Sequence, residues 1–128
     1  MSRSLLTPED HIERVRRISL ALPESSEKLS HGEPTFFVRK KVFVMFSNNH
    51  HNDGRIAIWI PVPLGHQAAM IAEAPEIYFK PPYVGVKGWV GVQVGMVNNE
   101  ILSTLIGQAW KLTAPRALHR ASASSKSH

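Results

Sequence analysis

Tyr78, Phe79, Tyr83 and Trp89 interleave with Lys80 and Lys87 around two prolines and two glycines. Aromatic rings stack on bases while lysines contact phosphates, so a rigid basic loop of this kind can enter a nucleic-acid groove. The competing reading packs the rings into a core and leaves the lysines solvated. That reading is preferred for Phe79 and Trp89, whereas Tyr83 stays open. A second basic group, Arg39-Lys40-Lys41, falls between two β-prone runs and would form a hairpin tip. Charged tips are usually just solvated, but two on one domain make a stronger hint than one. Arg39, Lys40, Lys41, Lys80, Tyr83 and Lys87 are therefore the candidate DNA-binding residues.

Other chemistries find less support. His31-Gly32-Glu33-Pro34 could place a general base beside a carboxylate, but no nucleophile or second acid accompanies it, and Gly and Pro there suit a turn before a strand. His50-His51-Asn52-Asp53 carries metal-ligand types, yet adjacent residues do not converge on one ion, and Asn, Asp and Gly are ordinary turn formers. No nucleophile elbow or glycine-rich phosphate loop occurs. Gly85, Gly88, Gly91 and Gly95 recur across a turn and a strand, where they suit tight backbone geometry. No catalytic residue, cofactor or metal is expected.

The elements that would hold these groups are legible in the pattern. Thr7 suits an N-cap, Pro8 the first helical position, and Ile12, Val15, Ile18 and Leu22 recur at helical spacing up to Pro23. Residues Glu24 to Glu33 read as a polar connection. Thr35–Val38 and Val42–Phe46 form a predicted hairpin, and Arg55–Ile60 a third strand with apolar residues on both faces. Leu64–Ala74 reads as a helix between prolines. Glu76–Phe79 and Val90–Val94 are the fourth and fifth strands. Asn98 or Asn99 caps a final helix with Ile101, Leu102, Leu105, Ile106, Ala109 and Leu112 on one face. The expected fold is α+β, a two-layer arrangement in the order α-β(3)-α-β(2)-α with a mainly antiparallel five-stranded sheet and helices on one face. One domain spans 5–119, and the Ser-rich tail over 120–128 is expected to be disordered.

Composition bounds the rest. The chain has 128 residues, 43% hydrophobic and 20% charged, enough for one core without staples. The absence of cysteine excludes disulfides, thiolate zinc sites and a catalytic thiol. No signal peptide or membrane span is read, so the expected compartment is the cytoplasm. The net charge of +5 leans modestly toward polyanions.

Three segments in order resemble the MmcQ/YjbR-like family. They are His31-Gly32-Glu33-Pro34-Thr35-Phe36 with Lys41-Val42-Phe43, then Pro81-Pro82-Tyr83-Val84-Gly85 with Gly88-Trp89-Val90-Gly91-Val92, then Ala109-Trp110-Lys111-Leu112-Thr113-Ala114-Pro115. Trp110 replaces a more usual Tyr, and Gln93-Val94 stands where a Leu-Asp pair is expected. The resemblance implies the same element order, in a fold class shared with secretion chaperones, and DNA binding through a double-wing surface. It carries no catalytic residues. Three readings follow: a DNA-binding protein using mainly phosphate contacts, a protein-interaction module using an open sheet face that carries Trp59, and a small-molecule pocket or enzyme site near His31, Tyr83 and Trp89. The sequence leaves the oligomeric state unknown.

Overall fold

The computed structural model describes residues 6–120. Helix α1 spans Pro8–Leu20 and begins as predicted: the Thr7 hydroxyl accepts from the Asp10 amide, and the Asp10 carboxylate accepts from the Thr7 amide. This reciprocal capping box satisfies two helix-end donors. Val15 is fully buried, and Ile12, Ile18 and Leu22 pack at the edge of the same core.

Four strands then follow, where three were expected. Residues 24–33 are not a plain connection: they contain β1, Ser25–Ser30, which pairs antiparallel with β2, Glu33–Val38. β1 is an edge strand whose outer side meets water, so it carries no apolar alternation to betray it. Its turn to β2 is His31-Gly32, with φ of 53° and 82°. Two successive positive φ values match the twist of a tight hairpin, which is why a glycine sits there.

β3 (Lys41–Asn48), β4 (Ile56–Ile60), α2 (His66–Glu73), β5 (Tyr78–Phe79), β6 (Val90–Gln93) and α3 (Asn99–Thr113) complete the order. The sheet has six strands, not five, in the order β1-β2-β3-β4-β6-β5, and every pairing is antiparallel. The register slips between Phe36 and Phe37, opposite Phe43. This bulge lets the consecutive residues Phe43 and Val44 both enter one core.

That core lies on the sheet face covered by α1 and α3. Phe36, Val44, Ile58, Ile60, Val90 and Val92 meet Leu102, Ile106 and Trp110 there, all fully buried. Each such side chain is worth roughly 1.5–3 kcal/mol on burial. Trp110 donates its indole N–H to the Pro23 carbonyl at 3.1 Å, fixing α3 to the connection between α1 and β1. A helical stretch at 116–120 follows, so Arg120, the first residue of the expected tail, is helical, and residues 121–128 lie outside the described residues. No helix among the described residues is long and apolar enough to cross a membrane.

Candidate ligand pocket

The other sheet face has a small core of its own. Ala57, Trp59 and Phe79 are buried there, with Met45, Val84 and Trp89 packed around them. The cover is the segment between β5 and β6. It folds back over the sheet with a 3-10 turn at Val84–Lys87, and Gln67 of α2 ties it down by donating to the Gly85 and Trp89 carbonyls at 2.8 and 2.5 Å. Gly91 makes the packing possible: a Cβ there would strike the ring of Phe79.

Beside this covered patch the face is concave, with a cavity of about 500 Å³. The pairing register explains its lining. Residues two apart on a strand share a face. Glu33 and Thr35 of β2, Met45 and Ser47 of β3, and Trp59 of β4 therefore form the floor. His31 from the β1–β2 turn closes one side; His50, in a 3-10 turn at His50–Asn52, and Tyr83 close the other.

Three rings meet at that second wall. The His50 ring lies edge-on to Trp59 at 5.2 Å and to Tyr83 at 5.8 Å, and Trp59 and Tyr83 are 6.5 Å apart. Tyr83 holds φ 63° and ψ −72°, and the Val84 amide donates to the Pro82 carbonyl across it at 2.6 Å. This is the strained form of the three-residue γ-turn. Such backbone strain costs about 1–3 kcal/mol and concentrates at functional sites. Tyr83 nevertheless leaves 66% of its surface exposed, so core burial does not repay the strain.

Two polar atoms of the floor have no hydrogen-bond partner: Ser47 Oγ and Trp59 Nε1. Their residues are 3% and 4% exposed. A buried donor without an acceptor costs about 1–3 kcal/mol, so such atoms call for an explanation. Glu33 adds a carboxylate, of which Oε2 accepts from the Asn48 amide at 3.3 Å. The site thus combines aromatic walls and one acid, with two unpartnered polar atoms just beneath its surface.

The chain matches the family model YjbR over residues 20–112. It belongs to the YjbR family. The YjbR segment holds every strand and most of α3, including all the pocket residues. No curated protein matches the chain. Among solved structures, this YjbR chain is similar to Deinococcus radiodurans protein DR2400, which carries the family-model domain DUF419. The two are 18% identical with a TM-score of 0.67, over 93% of this chain and 89% of that one. At that identity the likeness concerns the fold.

The residues singled out from the YjbR sequence fall in two places. Lys80, Tyr83 and Lys87 are exposed on the covering segment, and Arg39, Lys40 and Lys41 are exposed at the β2–β3 turn. Arg39 donates to the Glu24 carboxylate at 2.8 Å, and this contact lowers the Glu24 pKa. Tyr83 touches His50, beyond the far end of β3 from Lys41, and eight strand residues span about 23 Å. Tyr83 and the first basic tip are thus not brought together. His31 and Tyr83 do line one pocket, whereas Trp89 supports it from within the covered patch. Trp59, expected on an open apolar face, is instead buried beneath this cover.

The sequence reading missed Ser47, Thr35, Met45 and the inward role of Trp59. Their period-two spacing along three adjacent strands was the available signal. Asp53, weighed as a metal ligand, and Asn52 beside it serve the β3–β4 turn: Asp53 accepts from the Arg55 amide at 2.9 Å, and Asn52 from the Asn49 side chain at 3.5 Å. No three His, Cys, Asp or Glu residues among those described are grouped to hold a metal.

Proposed function

We propose that this domain binds a small planar molecule in the pocket between the β1–β2 turn and Tyr83. The observation that carries the reading is the strained, exposed Tyr83 standing against buried Trp59 at the wall of a cavity of about 500 Å³. Ligand sites are typically concave, mainly apolar and furnished with a few placed polar groups. Calorimetric titration with indole tests it. Saturable one-site binding is expected, and Met45→Trp, which fills the floor, should abolish it while the circular dichroism spectrum stays native. No saturable binding, or equal binding to the filled variant, would count against the pocket.

A second reading, DNA binding through phosphate contacts, draws on the exposed Lys40, Lys41, Lys80 and Lys87 and the net charge of +5. Neutralising about four phosphates gives a log–log salt slope near −3.6. A fluorescent random duplex should then bind with that slope, and Ala at Lys40, Lys41 and Lys87 together should shrink it. An unchanged slope would remove this surface.

A further inference from the structure

We infer that the pocket's ligand is a flat heterocycle with an amide-type edge, a carbonyl acceptor beside a ring N–H, as in an oxopurine. This rests on the pocket reading above and adds the ligand's chemical class. Trp59 Nε1 can only donate, and the Ser47 hydroxyl can donate or accept; neither has a partner in the protein. They belong to one corner of the sheet: Met45 pairs with Trp59 and Ser47 with Ala57, so Ser47 and Trp59 are diagonal neighbours on one face.

Glu33 lines the same cavity. Its carboxylate opposes an anionic ligand, and the Trp59 donor cannot serve a cation. A neutral group that both accepts and donates fits the set. The rings of His50, Trp59 and Tyr83 around it favour a flat partner. The two unpartnered atoms lie below the solvent-accessible surface, so the ligand reaches them as the wall gives. Tyr83, exposed, strained and set against the Trp59 ring, is the wall residue that this requires to move.

Inosine and purine riboside form the test pair, since they differ only in the 6-oxo lactam edge. Inosine should bind at least roughly tenfold tighter, because a ligand without the edge leaves buried donors unpaired. Ser47→Ala and Trp59→Phe should each erase most of that difference; Trp59→Phe also removes part of the ring wall and should weaken both nucleosides, so the ratio of the two affinities is the readout. Ser47→Ala removes only an unpartnered hydroxyl, so folding is kept.

Equal affinity for the two nucleosides, or discrimination that survives both substitutions, would overturn the inference. If indole binds and inosine does not, the amide edge is wrong and the pocket reading stands. If neither binds, both fall. A single-stranded deoxyinosine octamer separates two sources of the same chemistry. Affinity equal to inosine and insensitive to salt marks a free nucleoside, whereas tighter, salt-dependent binding marks an unpaired base in a strand.

Discussion

The ring of Phe79 occupies the space that a side chain at Gly91 would need. The two residues are cross-strand partners, Phe79 on β5 and Gly91 on β6, and Gly91 also pairs with Trp59 on β4. The aromatic ring thus covers a bare stretch of backbone, and Arg55 stacks on that ring at 4.1 Å. This packing holds the cover against which the pocket wall is built. Gly91→Ala should cost about 1–3 kcal/mol through overpacking. Combining it with Phe79→Leu should cost less than the sum of the two changes. Urea denaturation of the two single variants and the double variant measures this, and strict additivity would contradict it.

Tyr83 offers a backbone test. Glycine accepts a positive φ that alanine does not. Both substitutions remove the same ring, so their difference isolates the strain. Tyr83→Gly should be more stable than Tyr83→Ala by about 1 kcal/mol, and both should weaken indole binding. An alanine variant as stable as the glycine variant would mean the turn relaxes.

Most of the frame was legible before the structure. The cap at Thr7 reflects the unpaired amides of a helix start, and the apolar repeat of α3 and the β-prone runs around Phe36, Val44 and Ile58 reflect burial against one core. β1 was not legible, because Ser25–Ser30 pairs on one side only and presents no apolar face. The pocket was half legible. His31 and Tyr83 stood out as turn residues of unusual type. Ser47 falls just past the predicted strand Val42–Phe46, in a turn, and Trp59 falls on an expected open sheet face; the strand register is what places them in one corner. The basic tips were visible, but the pairing of Arg39 with Glu24 depends on β1.

β1 is held by one ion pair in particular. Arg16 of α1 donates to both oxygens of Glu27, at 2.7 and 2.8 Å, and also pairs with Glu13. The contact with Arg16 lowers the Glu27 pKa, and its bond to Glu27 raises that of Arg16. The pair is partly exposed, with side chains 31% and 23% accessible, so screening limits its worth. Glu27→Gln should destabilise by about 1 kcal/mol at neutral pH. A carboxylate with a lowered folded pKa contributes above its unfolded pKa and loses that contribution as pH falls through the folded value. The gap between wild type and Glu27→Gln should therefore close in acid. A gap that persists there would contradict the ionic role.

His11 provides a separate pH dependence. It is 5% exposed, and its Nδ1 lies 3.0 Å from Arg14, which also donates to the Val94 and Val97 carbonyls. Burial first, then the Arg14 charge, lower its pKa, with Asp10 opposing. The folded state thus favours the neutral ring. Stability from this residue is full above the unfolded value of about 6.5 and is lost as pH falls from there through the folded pKa. Thermal midpoints of wild type should drop as pH falls below about 6.5, and His11→Gln should flatten that slope. Identical slopes would remove His11 as the cause.

A ligand received at the wall formed by Trp59 and Tyr83 would change the surroundings of the Trp59 indole. The indole N–H resonances of the three tryptophans, followed by nitrogen–proton correlation spectra as unlabelled indole is added, test this most directly. Trp110 is fully buried and bonded to Pro23, and so serves as the internal reference. The predicted result is a saturable shift of the Trp59 signal with Trp110 unmoved. A Trp59 signal that stays in place, or moves only in step with Trp110, would contradict ligand binding at that wall.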